Sequence, residues 1–283
     1  MDLVISRVAF LGPTGTFTEE ALLTQPDLAA ATLTAYPTIT EVLDAVARRD
    51  VDAGFVPIEN GIEGTVNETI DRLIFNFDLV IERQVVLDVH LQLAARPGTS
   101  LGDITKIYSH PHALAQCRAF YELSLGDVAL VTSPSTADAA RYIGESGQAG
   151  EAAISTALAA NIYGLDVIAR DIEDHDQNQT RFLCVRSEQV AVPTGHDHTS
   201  IVCFQDADRP GSLYAILGQF AERGINLTNV QSRPTKQGLG SYCFIIDFEG
   251  HRSDPVVADC LAALGEHLAS IKFLGSYRVA GIA

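Results

Sequence analysis

Two hydrophobic periods alternate along the chain from its start. Arg7-Val8-Ala9-Phe10-Leu11 is a short, nearly continuous apolar run, the pattern of a buried strand. Gly12-Pro13-Thr14-Gly15-Thr16 turns it into a helix whose apolar positions begin at Ala21, Leu22 and Leu23, with Thr16 and Glu19 spaced as a capping box. The alternation repeats. Strand-like runs at 32–36 and 53–57 each lead to a helix, the first capped by Thr38 and Glu41 and carrying Val42, Leu43, Val46 and Ala47, the second carrying Ile70, Leu73 and Ile74. Between that second strand and its helix runs Ile58-Glu59-Asn60-Gly61-Ile62-Glu63-Gly64-Thr65-Val66. Its glycines permit close approach of a ligand to the backbone.

Residues 79–95 form a long extended run, suited to crossing from one lobe to another. A second strand–helix series follows Pro97-Gly98, with strands at 104–108, 128–131, 152–154 and 167–169. Several strands in both series end in small polar residues at a helix start: Thr14 and Thr16, Asn60, Ser109 and His110, Ser135 and Thr136, Ser155 and Thr156. Hydroxyls there cap helices. The same strand ends are where open α/β sheets bind ligands. The two series, joined by crossings near 79–95 and 172–182, predict two α/β lobes with a cleft between them.

The pattern changes after a polar linker at 187–197. Strands at 199–204, 225–230, 240–248 and 273–279 and helices at 210–220 and 254–270 give the order βαββαβ, the ferredoxin-like plan.

Composition narrows the function. The 283 residues suggest two domains, and 47% apolar content with 19% charged content fits a folded globular chain. A net charge of -17 without a basic cluster excludes nucleic acid as a partner, although a local Arg or helix N-terminus can still hold an anion. Five scattered cysteines (117, 184, 203, 243 and 260) read as free thiols in a reducing compartment. With no signal peptide or membrane span in the pattern, a cytoplasmic location is expected. The Gly12-to-Thr16 turn lacks the spacing of a Walker loop or a dinucleotide fingerprint. His196, Asp197 and His198, like Asp174, His175 and Asp176, read as solvated loop charges rather than metal ligands. No metal and no cofactor are expected.

The densest chemistry follows that second acidic loop, in Asn178-Gln179-Thr180-Arg181-Phe182. A guanidinium can bind a carboxylate through two hydrogen bonds, and the hydroxyl beside it can donate to a leaving oxygen.

With these residues in place the chain resembles the prephenate dehydratases. The resemblance rests on Gly12-Pro13-Thr14-Gly15-Thr16-Phe17, Val56-Pro57-Ile58-Glu59-Asn60, Ser109-His110-Pro111 with Ala113-Leu114-Ala115-Gln116-Cys117, and Asn178 with Thr180-Arg181-Phe182. The C-terminal part resembles an ACT regulatory domain through Pro210-Gly211-Ser212-Leu213, Gly224-Ile225-Asn226-Leu227-Thr228 and Ser232-Arg233-Pro234. The resemblance implies a bilobed catalytic domain, like type II periplasmic binding proteins, over residues 1–186, with lobes at 1–80 plus 173–186 and at 81–172. An ACT domain would occupy 198–283. It implies conversion of prephenate to phenylpyruvate, water and CO2, regulated by L-phenylalanine. The dehydratase pattern begins within ten residues of Met1, so the chorismate mutase activity of the bifunctional relatives is expected to be absent.

By the same resemblance Thr180 is the catalytic donor. A tight ion pair on the carboxylate being lost would stabilise the ground state, so Arg181 and the turn at Thr14, Gly15 and Thr16 are expected to anchor the pyruvyl carboxylate instead, with Phe182 a dry wall. Asn60, Glu63, Ser109, His110, Ser135, Thr136 and Asn178 complete the substrate site, with Glu63 or His110 as the proton source. Gly211, Ser212, Leu213, Asn226, Leu227, Thr228 and Gln231 would hold phenylalanine across an interface in a homodimer or homotetramer. Gly61 stands where the family usually has Ser, and Gln231 where it has Glu. An arogenate dehydratase and a non-enzymatic amino-acid sensor are the alternatives.

Overall fold

The computed structural model describes residues 5–188, 192–205, 209–236 and 241–279. Residues 1–4, Gln189, Val190 and Ala191 of the expected linker, and Gly240 of an expected strand lie outside the described residues. The chain opens with β1 (Arg7–Leu11), α1 (Phe17–Leu23), α2 (Pro26–Ala29), β2 (Thr32–Tyr36), α3 (Ile39–Ala47), β3 (Ala53–Asn60), β4 (Gly64–Thr65), α4 (Asn67–Phe75) and β5 (Val80–Asp88). A second lobe follows: β6 (Gln92–Ala95), β7 (Lys106–Ser109), α5 (Pro111–Gln116), α6 (Arg118–Ser124), β8 (Ala129–Thr132), α7 (Thr136–Ser146), β9 (Glu151–Ser155), α8 (Ala157–Ile162) and β10 (Asp166–Ala169). The chain returns to the first lobe through β11 (Gln179–Arg186). It ends in β12 (Asp197–Phe204), α9 (Ser212–Glu222), β13 (Leu227–Pro234), β14 (Tyr242–Glu249), α10 (Pro255–Gly265) and β15 (Ser270–Val279).

The bilobed α/β plan and the C-terminal βαββαβ order are as the sequence implies. One boundary is not. Strand β5 lies wholly in the first lobe, antiparallel to β11 from Val80 opposite Arg186 to Asp88 opposite Gln179. The first lobe therefore runs past residue 80, and the crossings are the short segments 89–91 and 170–178. The reason is burial: Ile81, Val85 and Leu87 pack into the first lobe's cores, so the extended run completes one sheet before it crosses.

The two domains share a sheet. Its order is β13-β14-β12-β15-β5-β11-β3-β1-β2, with β4 on β3, while the second lobe has its own sheet, β10-β6-β9-β7-β8. The join is the parallel pairing of β15 with β5 at Arg278–Arg83 and Val279–Gln84. Gly275 makes the approach possible. Its φ is +145°, and a Cβ there would lie 2.5 Å from the Ile81 carbonyl oxygen. The core is continuous across the join, since Val202, Ile245, Leu274 and Tyr277 pack with Ile81, Leu183 and Val185.

Local signals explain the helices that frame the cleft. Thr38, Ser135 and Thr156 accept the N–H three residues on and cap α3, α7 and α8. The capping box expected at Thr16 and Glu19 is built differently. The Thr16 hydroxyl donates to the Leu11 carbonyl, and the Glu19 carboxylate takes the Gly15 N–H at 2.6 Å, so the glutamate braces the turn instead.

Candidate active site in the interlobe cleft

A cleft of about 390 Å³ opens between the lobes, within the range of small-molecule sites. Thr180 and Asn60 stand on the first-lobe side, and His110, His112, Gln116, Ser135 and Thr136 on the other, with Asn178 on the returning segment. Thr16 and Glu63 also line it, and Phe17, Val89, Leu91 and Ala113 supply apolar wall. Thus Thr16, Asn60, Glu63, His110, Ser135, Thr136, Asn178 and Thr180 of the expected site meet in one place.

Hydrogen bonding orients the Thr180 hydroxyl. Asn60 Oδ1 accepts the N–H groups of Ile62 and Glu63 at 2.9 and 3.0 Å, which fixes the amide so that its nitrogen faces the other way. That nitrogen donates to Thr180 Oγ1 at 2.8 Å and to Asn178 Oδ1 at 3.0 Å. Asn178 in turn donates to Gln116 Oε1 across the lobes at 3.2 Å. Thr180 therefore accepts from Asn60, and its own proton is left to donate. The residue is buried, so that proton meets little competing water.

The ionisable groups lining the cleft are Glu63, His110 and His112. Glu63 Oε1 and His112 Nδ1 meet at 2.7 Å, and the His110 and His112 rings lie 5.1 Å apart. Burial, and then the neighbouring His112, pushes the His110 pKa below the ordinary imidazole value, which favours the neutral ring. His112 and Gln116 were absent from the expected site. They lie four residues apart on α5, one helix face, so the spacing after His110 carried the signal.

Five expected residues lie elsewhere. Arg181 does not face the cleft. Successive strand residues point to opposite faces, so Thr180 and Arg181 cannot share one. Arg181 reaches Glu59 at 2.8 Å, Gln84 at 3.3 Å and, in the C-terminal domain, Asp247 at 3.5 Å. Phe182 is 1% exposed and stacks on Phe55 at 5.5 Å inside the first lobe, so it is core rather than cleft wall. Thr14 and Gly15 form a contact between lobes. The Thr156 hydroxyl donates to the Gly15 carbonyl at 2.7 Å, and Tyr163 reaches the Thr14 carbonyl at 3.4 Å. Ser109 is buried and donates to the Ile154 carbonyl at 2.6 Å, tying β7 to β9. Among described residues, no Lys or Arg lines the cleft.

The comparisons with known proteins fit this geometry. The family model for prephenate dehydratase matches residues 8–190, and that for the ACT domain matches 199–266. The chain belongs to the prephenate dehydratase family. It is 43% identical over 284 residues to the prephenate dehydratase of Amycolatopsis methanolica, covering 99% of this chain and 91% of that one. The crystal structure of prephenate dehydratase from Arthrobacter aurescens, in complex with L-Phe, superposes with a TM-score of 0.89 at 42% identity, covering 98% of this chain and 93% of that one. GqqA, described as a novel type of quorum quenching acylase, has the same fold, with a TM-score of 0.87 at 28% identity and coverage of 97% and 98%.

In the ACT domain, Gly211 precedes α9 with φ +88°, and Ser212 and Leu213 open the helix. Asn226 lies past the other end of that helix, donating to Glu249 at 2.8 Å, and Leu227 and Thr228 begin β13. Helix α9, eleven residues and about 16 Å long, runs from one group toward the other in one chain. Gln231 is not with either of them. It donates to Thr65 of the first lobe at 3.3 Å, while Arg233 binds Asp71 and Asn67 of α4.

Among the described residues, one cluster at the lobe crossings groups potential cation ligands. His90, Asp171 and Glu173 have ligand atoms within 4.8 Å of one another. They already satisfy each other and the Leu91 N–H, His90 Nδ1 lying 2.9 Å from Glu173. His196, Asp197 and His198 are not drawn together as ligands, and Asp197 instead accepts from Thr194 and Gly195.

Proposed function

We propose that this chain converts prephenate to phenylpyruvate, water and CO2 in the cleft, and that L-phenylalanine bound to its ACT domain regulates it. The observation that carries this reading is the Thr180 hydroxyl, buried at the cleft with its oxygen filled by Asn60 and its proton free. In the reaction the bond to the ring carboxylate breaks and CO2 leaves. Its electron pair forms the new ring double bond as the carbon–oxygen bond to the ring hydroxyl breaks. The departing hydroxide takes one proton and leaves as water.

Thr180 donates a hydrogen bond to that oxygen as its charge develops, an interaction stronger in the transition state than before it. An alcohol is a weak acid, so the proton itself comes from a titratable group. The Glu63–His112 pair on the cleft wall is the candidate, and a neutral His110 relays. The lack of Lys or Arg among the described lining residues serves decarboxylation: a tight ion pair on the ring carboxylate would hold the group that must leave. With Arg181 turned away, the pyruvyl carboxylate falls to the first turn of α7, at Ser135 and Thr136, and to the His112 ring beside it.

Residues 211–213 and 226–228 lie at opposite ends of α9, so one phenylalanine touches both only if they come from two chains. This supports a homodimer, or a tetramer built from such dimers. All five cysteines are free and buried, consistent with the reducing, cytoplasmic setting expected. No helix among the described residues is long and apolar enough to cross a membrane.

The test is phenylpyruvate formation from prephenate, with arogenate in parallel, with and without L-phenylalanine. Turnover of prephenate suppressed by phenylalanine is expected. Turnover of arogenate alone would move the substrate assignment.

A further inference from the structure

We propose that Arg181 is a positioning residue that carries the state of the ACT domain to Thr180, through Asp247 on one side and Glu59 on the other. The inference rests on the phenylalanine-regulated dehydratase reading above.

The contacts form an unbroken chain. Asn229 follows directly on the segment 226–228 assigned to phenylalanine, and its amide donates to Asp247 Oδ2 at 3.1 Å. Ser200 holds the other carboxylate oxygen of Asp247 at 2.6 Å. The same Oδ2 faces Arg181 Nη1 at 3.5 Å, and Arg181 Nη2 pairs with Glu59 Oε2 at 2.8 Å. Glu59 is bonded to Asn60, whose amide donates to Thr180 Oγ1 and sets the direction of the hydroxyl proton. Backbone closes the loop, since Arg181 follows Thr180 in β11 and lies opposite Glu59 in β3.

Two features mark this chain as movable rather than merely structural. Its ends sit at breaks in the ladder: the register shifts between Leu227 and Asn229 in β13, and between Arg181 and Phe182 opposite β3. Strand ladders yield most easily at such irregularities. The guanidinium is also incompletely held. Arg181 Nε is buried without a hydrogen-bond partner among the described residues, and a cavity of about 30 Å³ beside it is lined by Ser200, Asn229, Asp247 and Tyr277. An unsatisfied buried donor next to free space favours a second arrangement in which it is satisfied. Phenylalanine at 226–228 shifts Asn229, Asp247 follows, and Arg181 changes its hold on Glu59. Asn60 then turns, and the Thr180 proton loses its aim. Of the remaining interdomain contacts, Arg233 and Lys236 on Asp71 end on α4, and Lys272 ends on the Ile74 and Phe77 carbonyls, whereas Gln231 donates to Thr65 opposite Glu59 and braces the same strand.

The experiment separates binding of phenylalanine from its effect. Wild type, Asp247→Asn, Glu59→Gln and Asp71→Asn are compared for prephenate turnover across phenylalanine concentrations, and for phenylalanine binding by calorimetry. Wild type and Asp71→Asn should be inhibited about tenfold or more at saturation, within the usual range of allosteric coupling. Asp247→Asn and Glu59→Gln should bind phenylalanine within about threefold of wild type yet lose most of the inhibition. Glu59→Gln leaves the ACT domain intact, so the test stands if Asp247→Asn fails to fold. Full inhibition in the folded relay variants overturns the proposal and leaves the proposed function standing. Loss of phenylalanine binding in Glu59→Gln, or equal loss of inhibition in Asp71→Asn, also overturns it. A wild type that turns over prephenate but ignores phenylalanine removes the regulatory half of the proposed function and the relay with it.

Discussion

A single amide decides what the Thr180 hydroxyl can do. Asn60 is fixed by two backbone N–H groups on its oxygen, so it can only donate to Thr180. Thr180→Ala should lower kcat by about a hundredfold or more with little change in KM, as for loss of a transition-state donor. Thr180→Ser, which keeps the hydroxyl, should recover part of that loss, and steady-state kinetics on prephenate check both. His112→Ala should instead raise KM, because it removes a hydrogen-bonding ring from a cleft with no described Lys or Arg, and a KM equal to wild type would exclude His112 from anchoring. At this scale the sequence was readable where a motif coincided with a strand end, as at Asn60, Asn178 and Thr180. It misled at Arg181. The two-residue period of β11 already placed that side chain opposite Thr180, but nothing local named Asp247 or Glu59 as its partners.

Among elements, the crossings carry the most distinctive electrostatics. His90, half exposed on the outgoing segment, has its pKa raised by its hydrogen bond to Glu173 and by the charges of Glu173 and Asp171. The folded state holds that proton more tightly than the unfolded chain. The stabilisation is therefore full below the ordinary histidine value, about 6.5, and fades as pH rises through the higher folded value. An NMR titration should find one imidazole above its ordinary midpoint and should find it lowered in Glu173→Gln. Strand β15 offers a steric test. Gly275→Ala would press a Cβ on the Ile81 carbonyl at a φ that L-residues rarely adopt, costing about 1–3 kcal/mol and lowering the thermal midpoint in a melting scan. The strands and helices themselves were legible from period and caps. The pairing of β15 with β5 was not, because it is backbone recognition between residues nearly 200 positions apart, which leaves no side-chain period to read.

For the whole molecule, the separation of residues 211–213 from 226–228 yields a mixing experiment. A Gly211→Val chain and an Asn226→Ala chain should each lose phenylalanine binding alone. Unfolded and refolded together, they should regain about a quarter of the sites, because each mixed dimer holds one site with both halves intact. No recovery would place the ligand within one chain. The shared sheet bears on how the protein can be divided. In sequence the two family matches look like separable modules. In space the regulatory module covers part of the β5 edge and the apolar surface around Ile81, Leu183 and Val185. A chain cut after Arg186 would bare that strand edge beside an oily face, a ready template for pairing with its own copies. Such a fragment is expected to sediment as aggregates, because the strand edge and apolar face that β15 and its neighbours cover in the intact chain would be bare.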